Sequence, residues 1–375
     1  MKGIFARIAD YIRETDKIML ILVIFAASYG CIGVFSATYY TESHKQFFTQ
    51  LSSMILGLGA AIVISYIDHN TILKKWYYAA AVGVIPVILT FFIGFAPDGT
   101  DDKAWLMIPG VGTFQPSEFL KICFIITFAA HLSAVKNNIN KLKTLIPVVL
   151  HGAFPVVLIH FQGDDGTALV FAIMFISMLF SAGLNVKYFI AAGISALVAL
   201  PLVYFFVMSE DQQKRIFTVF NLEADLQGAG YQQWMARLAL ANGGLFGQGY
   251  LKGELTQAAI VPEGHNDFIF VSIGEELGLL GCLAIVILLA GICARCIYVG
   301  KASSSDSGMF IAVGIFAMLL AQIVINLGMC LSILPVIGVT LPFFSAGGTS
   351  LACLMLGIGL MLSVYMHRHT LTVHI

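Results

Sequence analysis

The chain has 375 residues, 59% of them hydrophobic and only 11% charged, with a mean hydropathy of +0.90. Soluble chains carry roughly 25% charged residues, so 20 basic and 21 acidic side chains are too few to wet a globule of this size. A net charge of −1 gives no support for nucleic-acid binding, and seven cysteines that all lie in apolar runs exclude a secreted disulfide scaffold. The composition is that of an all-α polytopic membrane protein.

Residues 1–16 carry charges throughout and lack the short apolar core of a cleavable signal peptide. Ile4, Phe5, Ile8, Tyr11 and Ile12 recur at helical spacing, with Lys2, Arg7 and Arg13 largely elsewhere around the wheel. That pattern fits an interfacial helix lying on lipid headgroups, or a plain basic flank that sets topology. A span needs about 20 mostly apolar residues. Such runs fall near 17–37, 47–67, 76–96, 114–134, 144–161, 166–184, 187–208, 266–294, 307–332 and 348–366. The runs predict ten transmembrane helices in one membrane domain, 17–366, followed by a tail, 367–375. The eighth run is long, and its start reads as a half-exposed segment leading into the membrane.

With the amino terminus inside, 13 of the 20 lysines and arginines fall on cytoplasmic segments and six on outer ones. This bias places both termini in the cytoplasm and leaves Lys121 within a span. Two outer segments are too rich to be connectors: 97–113 between spans three and four, and the long loop 209–265 between spans seven and eight. In the longer one, Tyr231, Trp234, Met235, Leu238 and Phe246 predict amphipathic pieces resting on the outer membrane surface.

Polar residues inside a membrane are costly, so each is a functional candidate. Span four opens on Gln115-Pro116-Ser117-Glu118, and Glu118 shares a helix face with Lys121 at i,i+3 spacing. The pair either fixes helix packing or lines a polar cavity that positions the substrate-holding segment. Asp267, within Pro262-Glu263-Gly264-His265-Asn266-Asp267-Phe268, is the last carboxylate before span eight. Partial desolvation there would raise its pKa and suit a general base, while helix capping would explain the same residue type without catalysis. Asp164 and Asp165, in the outer turn between spans five and six, either hold a divalent cation such as Mg2+ or Mn2+ beside a phosphate or complement a helix dipole. Glycines between Asn242 and Gly249 permit close backbone approach. The segment Leu341–Ser350 breaks the entry into span ten, which suits backbone that lines a cavity.

Together these motifs resemble the SEDS family, the shape, elongation, division and sporulation proteins RodA, FtsW and SpoVE. The resemblance rests on Gln115-Pro116-Ser117-Glu118 with Lys121, on Gln162-x-Asp164-x-Gly166-Thr167, on Pro262-Glu263-x-His265-x-Asp267-Phe268, and on Leu341-Pro342-Phe343-Phe344-Ser345. It covers about residues 17 to 366. It implies a peptidoglycan glycosyltransferase that polymerises lipid II on the outer face of the bacterial cytoplasmic membrane. Implied partners are membrane lipids, a single-pass class B penicillin-binding protein and other elongation or division proteins. Asp267 then matches the essential aspartate, Glu118 and Lys121 the buried pair, and Arg215 the basic residue of the long loop. Ser117, His265 and Trp105 join Gln115 as substrate-binding candidates, and Asp164 is the candidate for a divalent ion. The chain departs from the family pattern at Gly163 and Asp165 around Asp164, at Ala104, at Gln248 and at Ala346.

The reaction requires an acceptor hydroxyl to attack an anomeric carbon that carries a polyprenyl-pyrophosphate. On this resemblance Asp267 is expected to be the base, with Lys121, Arg215 and an ion near Asp164 as the candidates for stabilising the leaving group. One displacement inverts the linkage without a covalent intermediate. The rival readings are a lipid II flippase, a polymerase or ligase for another polyprenyl-linked sugar, and a scaffold for the penicillin-binding protein.

Overall fold

A computed structural model describes residues 10–41, 44–96, 103–108, 112–222, 228 and 230–368. Ile4, Phe5 and Ile8 of the expected interfacial helix, residues 97–102 and 109–111 of the shorter outer segment, and residues 369–375 of the tail lie outside the described residues. The long helices in chain order are α1 (Lys17–Ala37), α2 (Lys45–Ser65), α3 (Trp76–Ile93), α4 (Pro116–Val135), α5 (Leu142–Phe161) and α6 (Asp165–Ser181). They continue with α7 (Val186–Phe206), α8 (Glu210–Phe220), α9 (Tyr231–Gly243), α10 (Ile269–Ala302), α11 (Asp306–Cys330) and α12 (Gly348–Met366). Between α3 and α4 lies a small antiparallel hairpin, β1 (Leu106–Ile108) and β2 (Gly112–Phe114).

Among the described residues, nine of these helices are long and apolar enough to cross a membrane, and α6 is apolar but shorter, at 17 residues. The chain is a multi-pass helical membrane protein. Because the spans are apolar on every side, contact between helices has to come from close packing rather than from an amphipathic stripe. Small residues supply it where α2 lies along α12: a Cβ added to Gly359 would fall 2.8 Å from the Ala61 Cα. α4, α11 and α12 are the most buried spans, and α11 touches α4, α6 and α10. α7 buries none of its residues. The polar candidates therefore sit on the hub, at α4 and at the entry to α10.

Both ends of the described chain lie at one face. Arg295, near the end of α10, bonds Asp16 at 2.9 Å and stacks over Tyr298, which in turn faces Tyr365 at the end of α12. Residues 10–14 are helical, and Tyr11 is buried against Tyr66 and the Ser65 hydroxyl.

In the long loop, the buried face of α9 is Gln233, Ala236, Ala239 and Gly243, while Leu238 and Phe246 are exposed. Small residues win because α9 meets α10 at backbone contact: a Cβ on Gly243 would stand 2.0 Å from the Gly274 oxygen. The first part of α10 is buried, not half-exposed, up to a break at Gly278 (φ 66°). Glu275 takes bonds there from the Leu255 and Thr256 amides and the Thr256 hydroxyl, while Glu276 takes them from Ser36 (2.5 Å) and Gln257 (2.8 Å). These two carboxylates clamp residues 254–257 onto α10 and cover it from outside.

Candidate active site

Pro116 starts α4, where a missing N–H costs nothing, and the helix then runs through the middle of the protein. One turn in, the Lys121 Nζ donates to Glu118 Oε1 at 2.6 Å, with the residues only 1% and 5% exposed. A buried ion pair is expensive to form and more expensive to break. Ser117 is fully buried beside it, and its hydroxyl is without a partner among the described residues.

Gln115 points to the next element, its Nε2 donating to Asp164 Oδ2 at 3.3 Å. The other Asp164 oxygen caps α6 by accepting the Thr167 amide at 2.9 Å. Burial raises the Asp164 carboxyl above its ordinary pKa, while the Thr167 bond pulls the other way. Asp165 turns away to His160 (2.6 Å) and the Gln212 amide (2.7 Å). The adjacent carboxylates thus do not act as a pair. Among the described residues no three His, Cys, Asp or Glu side chains converge as metal ligands.

Asp267 ends the turn that leads into α10. The segment 331–347 folds over this turn: the Ala346 amide donates to the His265 oxygen, and the Ser345 hydroxyl donates to the Asn266 oxygen, both at 2.8 Å. The carboxylate stands at Gly338, where an added Cβ would lie 3.7 Å from Asp267 Oδ2. Burial, with the negative charges of Glu263 and Asp164 adding to it, pushes the Asp267 carboxyl up from 3.8 to about 7. Burial also lowers the His265 pKa, partly opposed by Glu263, so this imidazole is neutral at pH 7.

Two polar cavities adjoin the turn. The larger, about 150 Å3, is lined by Tyr40, Thr256, Glu263, His265 and Ser272. The smaller, about 20 Å3, is lined by Gln115, Glu118, Lys121, Gln322, Gly338 and Thr340, and holds no more than about one water. Asp267 itself lines neither cavity: it follows His265, which walls the first, by two residues, and its carboxylate stands beside Gly338, which walls the second.

Arg215, on exposed α8, donates to the Val336 oxygen at 3.3 Å, next to the residues that wall the small cavity. Trp105 is set apart: its backbone pairs with Phe95 at the foot of the hairpin, and it lines neither cavity. The sequence reading missed Gln322 and Asn326. Both are buried on α11, four residues apart and hence on one face. The Gln322 Oε1 is without a partner among the described residues. The signal was two amides in an otherwise apolar run.

The family model for FtsW, RodA and SpoVE, described as cell cycle protein, matches residues 16–370. The chain belongs to this family. It is 30% identical over 358 residues to the peptidoglycan glycosyltransferase MrdB of Escherichia coli strain K12, covering 95% of each chain. Identity is also 30% over 362 residues with the probable peptidoglycan glycosyltransferase FtsW of Geobacter sulfurreducens, covering 94% of this chain and 95% of that one. The fold matches a chain of a solved peptidoglycan synthase complex at a TM-score of 0.82 and 24% identity, over 95% of this chain and 99% of that one. The rod shape determining protein RodA of Thermus thermophilus matches at 0.71 and 24%, over 95% of this chain and 98% of that one. In this FtsW/RodA/SpoVE member, Gln115, Glu118, Lys121, Asp164 and Asp267 gather around one small cavity and its rim, with Arg215 beside the covering loop and His265 in the second cavity.

Proposed function

We propose that this protein is a peptidoglycan glycosyltransferase that polymerises lipid II on the outer face of the bacterial cytoplasmic membrane. The observation that carries the reading is the Asp267 carboxyl, raised to about 7 chiefly by burial and standing beside Gly338, which walls the smaller polar cavity. A general base works best with a pKa close to the operating pH, and one positioned base is worth roughly 10²–10⁴-fold in rate.

In this mechanism Asp267 takes the proton from the acceptor sugar hydroxyl as its oxygen attacks the anomeric carbon of the donor. The bond to the polyprenyl-pyrophosphate breaks on the opposite side, and a single displacement inverts the linkage. The larger cavity, with Tyr40, His265 and Ser272, suits the hydroxyl-bearing acceptor sugar. Arg215 is an exposed cation beside the covering loop, available to the leaving pyrophosphate. Lys121 is closed in and neutralised by Glu118, so its contribution is the shape and field of the small cavity, not a direct phosphate contact in this conformation. Asp164, with oxygens of the substrate phosphates, would hold a divalent cation, which often keeps only one or two protein carboxylates and would supply charge neutralisation.

A ten-span path, with α6 as the sixth crossing and the loop between α7 and α10 outside, puts all of these residues on the outer side. Its partner would be a single-pass class B penicillin-binding protein that crosslinks the strands. The test is polymerisation of purified lipid II by the detergent-solubilised protein with that partner, wild type beside Asp267→Ala. Long glycan strands from the wild type alone support the base assignment. Equal product from an equally folded Asp267→Ala removes it.

A further inference from the structure

The turn bearing Asp267 is tied down through three consecutive main-chain carbonyls. His265 and Asn266 are held by Ala346 and Ser345, as described above, and the Asp267 oxygen accepts from the Asn326 Nδ2 at 2.8 Å. The same Nδ2 donates its second proton to the Val339 oxygen, also at 2.8 Å. Asn326 is 0% exposed; among the described residues its Oδ1 meets the weak Cys330 thiol donor at 3.7 Å, a thiol that also lies 3.5 Å from the Asp267 oxygen. One side-chain amide on α11 therefore spends both of its protons on joining the residue that carries the base to the residue that follows Gly338 in the wall of the small cavity.

We propose that Asn326 is a positioning residue for the transfer reaction, setting the register between the Asp267 turn and the Gly338–Val339 wall so that the carboxylate stands at the cavity edge. The inference rests on the glycosyltransferase reading and adds to it a residue on a span that touches no reacting atom. The chemistry demands this residue type. Two N–H groups fanning from one nitrogen can bond two carbonyls at once, whereas aspartate offers none, threonine one, and glutamine two at a reach longer by one methylene. A displacement of about 1 Å at a reacting group can cost about 10²-fold in rate.

The test compares Asn326→Asp, Asn326→Ala and Asn326→Gln with the wild type in lipid II polymerisation with the partner protein, over a pH series, alongside thermal midpoints. The expected result for Asn326→Asp is a kcat about 10²-fold lower, with KM for lipid II within about threefold of the wild type. The groups facing the Asp267 side are Glu263 on its own turn, Asp164 from the turn before α6 and Cys330 on α11. In Asn326→Ala, which adds no charge, the carboxyl freed from its register gains water, so the rising limb of the rate profile moves to lower pH. Asn326→Gln should recover part of kcat, and adding Asn326→Asp to Asp267→Ala should cost nothing further. If Asn326→Asp does not fold, Asn326→Thr, which keeps one donor at similar volume, carries the same expectation with a smaller loss. A folded Asn326→Asp with wild-type kcat overturns the proposal. So does a rate loss that follows the thermal midpoint while the pH profile stays put, since that is a structural role only. A wild type that forms no glycan strands with its partner overturns the glycosyltransferase reading itself, and this proposal with it.

Discussion

Replacing Asp267 by asparagine should make the protein more stable while abolishing polymerisation. The carboxyl rises from 3.8 to about 7 on folding, because burial and the charges of Glu263 and Asp164 disfavour its ionised form. At ~1.4 kcal/mol per pH unit this amounts to ~4 kcal/mol as an upper bound. Asp267 keeps some contact with solvent, which screens the charge, so about 1–3 kcal/mol is the range to expect at pH 8. The folded protein binds this proton more tightly than the unfolded chain, so wild-type stability falls as pH rises from about 4 to about 7 and then levels. Asparagine has no proton to lose. The stability gap between variant and wild type should therefore be near zero at pH 4, open through the neutral range and stay open above it. Thermal or denaturant unfolding of the detergent-solubilised proteins at pH 4, 6 and 8 measures it. A gap of the same size at all three values would refute the argument. A wild type that gains stability with pH would mean that the carboxylate has a cationic partner.

Glu118→Gln should cost about 3–5 kcal/mol, because it strands the buried Lys121 ammonium without its counter-charge. The double variant Glu118→Gln, Lys121→Met should regain most of that in thermal unfolding, and a single variant as stable as the wild type would refute the pairing. Gly278→Ala should lose about 2 kcal/mol or more, since φ is 66° and the new Cβ would sit 2.4 Å from the Gly247 amide. An unchanged midpoint would mean that α10 runs unbroken. Asp165→Asn should change the polymerisation rate less than about twofold, because its carboxylate faces His160 and Gln212, whereas Asp164→Asn should slow it at least about tenfold. If Asp164 and substrate phosphates hold an ion, a chelator should slow the wild type and added Mg2+ or Mn2+ should restore it; a rate indifferent to chelator removes the ion.

The sequence by itself determined the membrane class, most helix bounds to within a few residues (the eighth runs on to Ala302), the two rich connecting segments and the residues most worth testing. These are one-dimensional facts: an apolar run long enough to cross, and a charge where a charge is costly. Pro116 announced the start of α4, and Glu118 with Lys121 had to share a face whatever surrounded them. Where side chains point across the bundle was decided only by tertiary structure. Asp164 and Asp165 are neighbours in the chain, yet one caps α6 toward Gln115 while the other faces His160 and Gln212. Trp105 stands out in the sequence, but only the fold shows that its backbone pairs with Phe95 at the foot of the hairpin. The start of α10 looked half-exposed and is buried, because Glu275 and Glu276 clamp a distant stretch of loop over it. Asn326 shows the limit best. In the sequence it is one amide in an apolar run, and only the fold, by bringing the Asp267 and Val339 oxygens to 2.8 Å from its Nδ2, gives it work to do. Periodicity records which residues lie along one helix, but a contact between segments some 60 residues apart depends on how several helices pack at once.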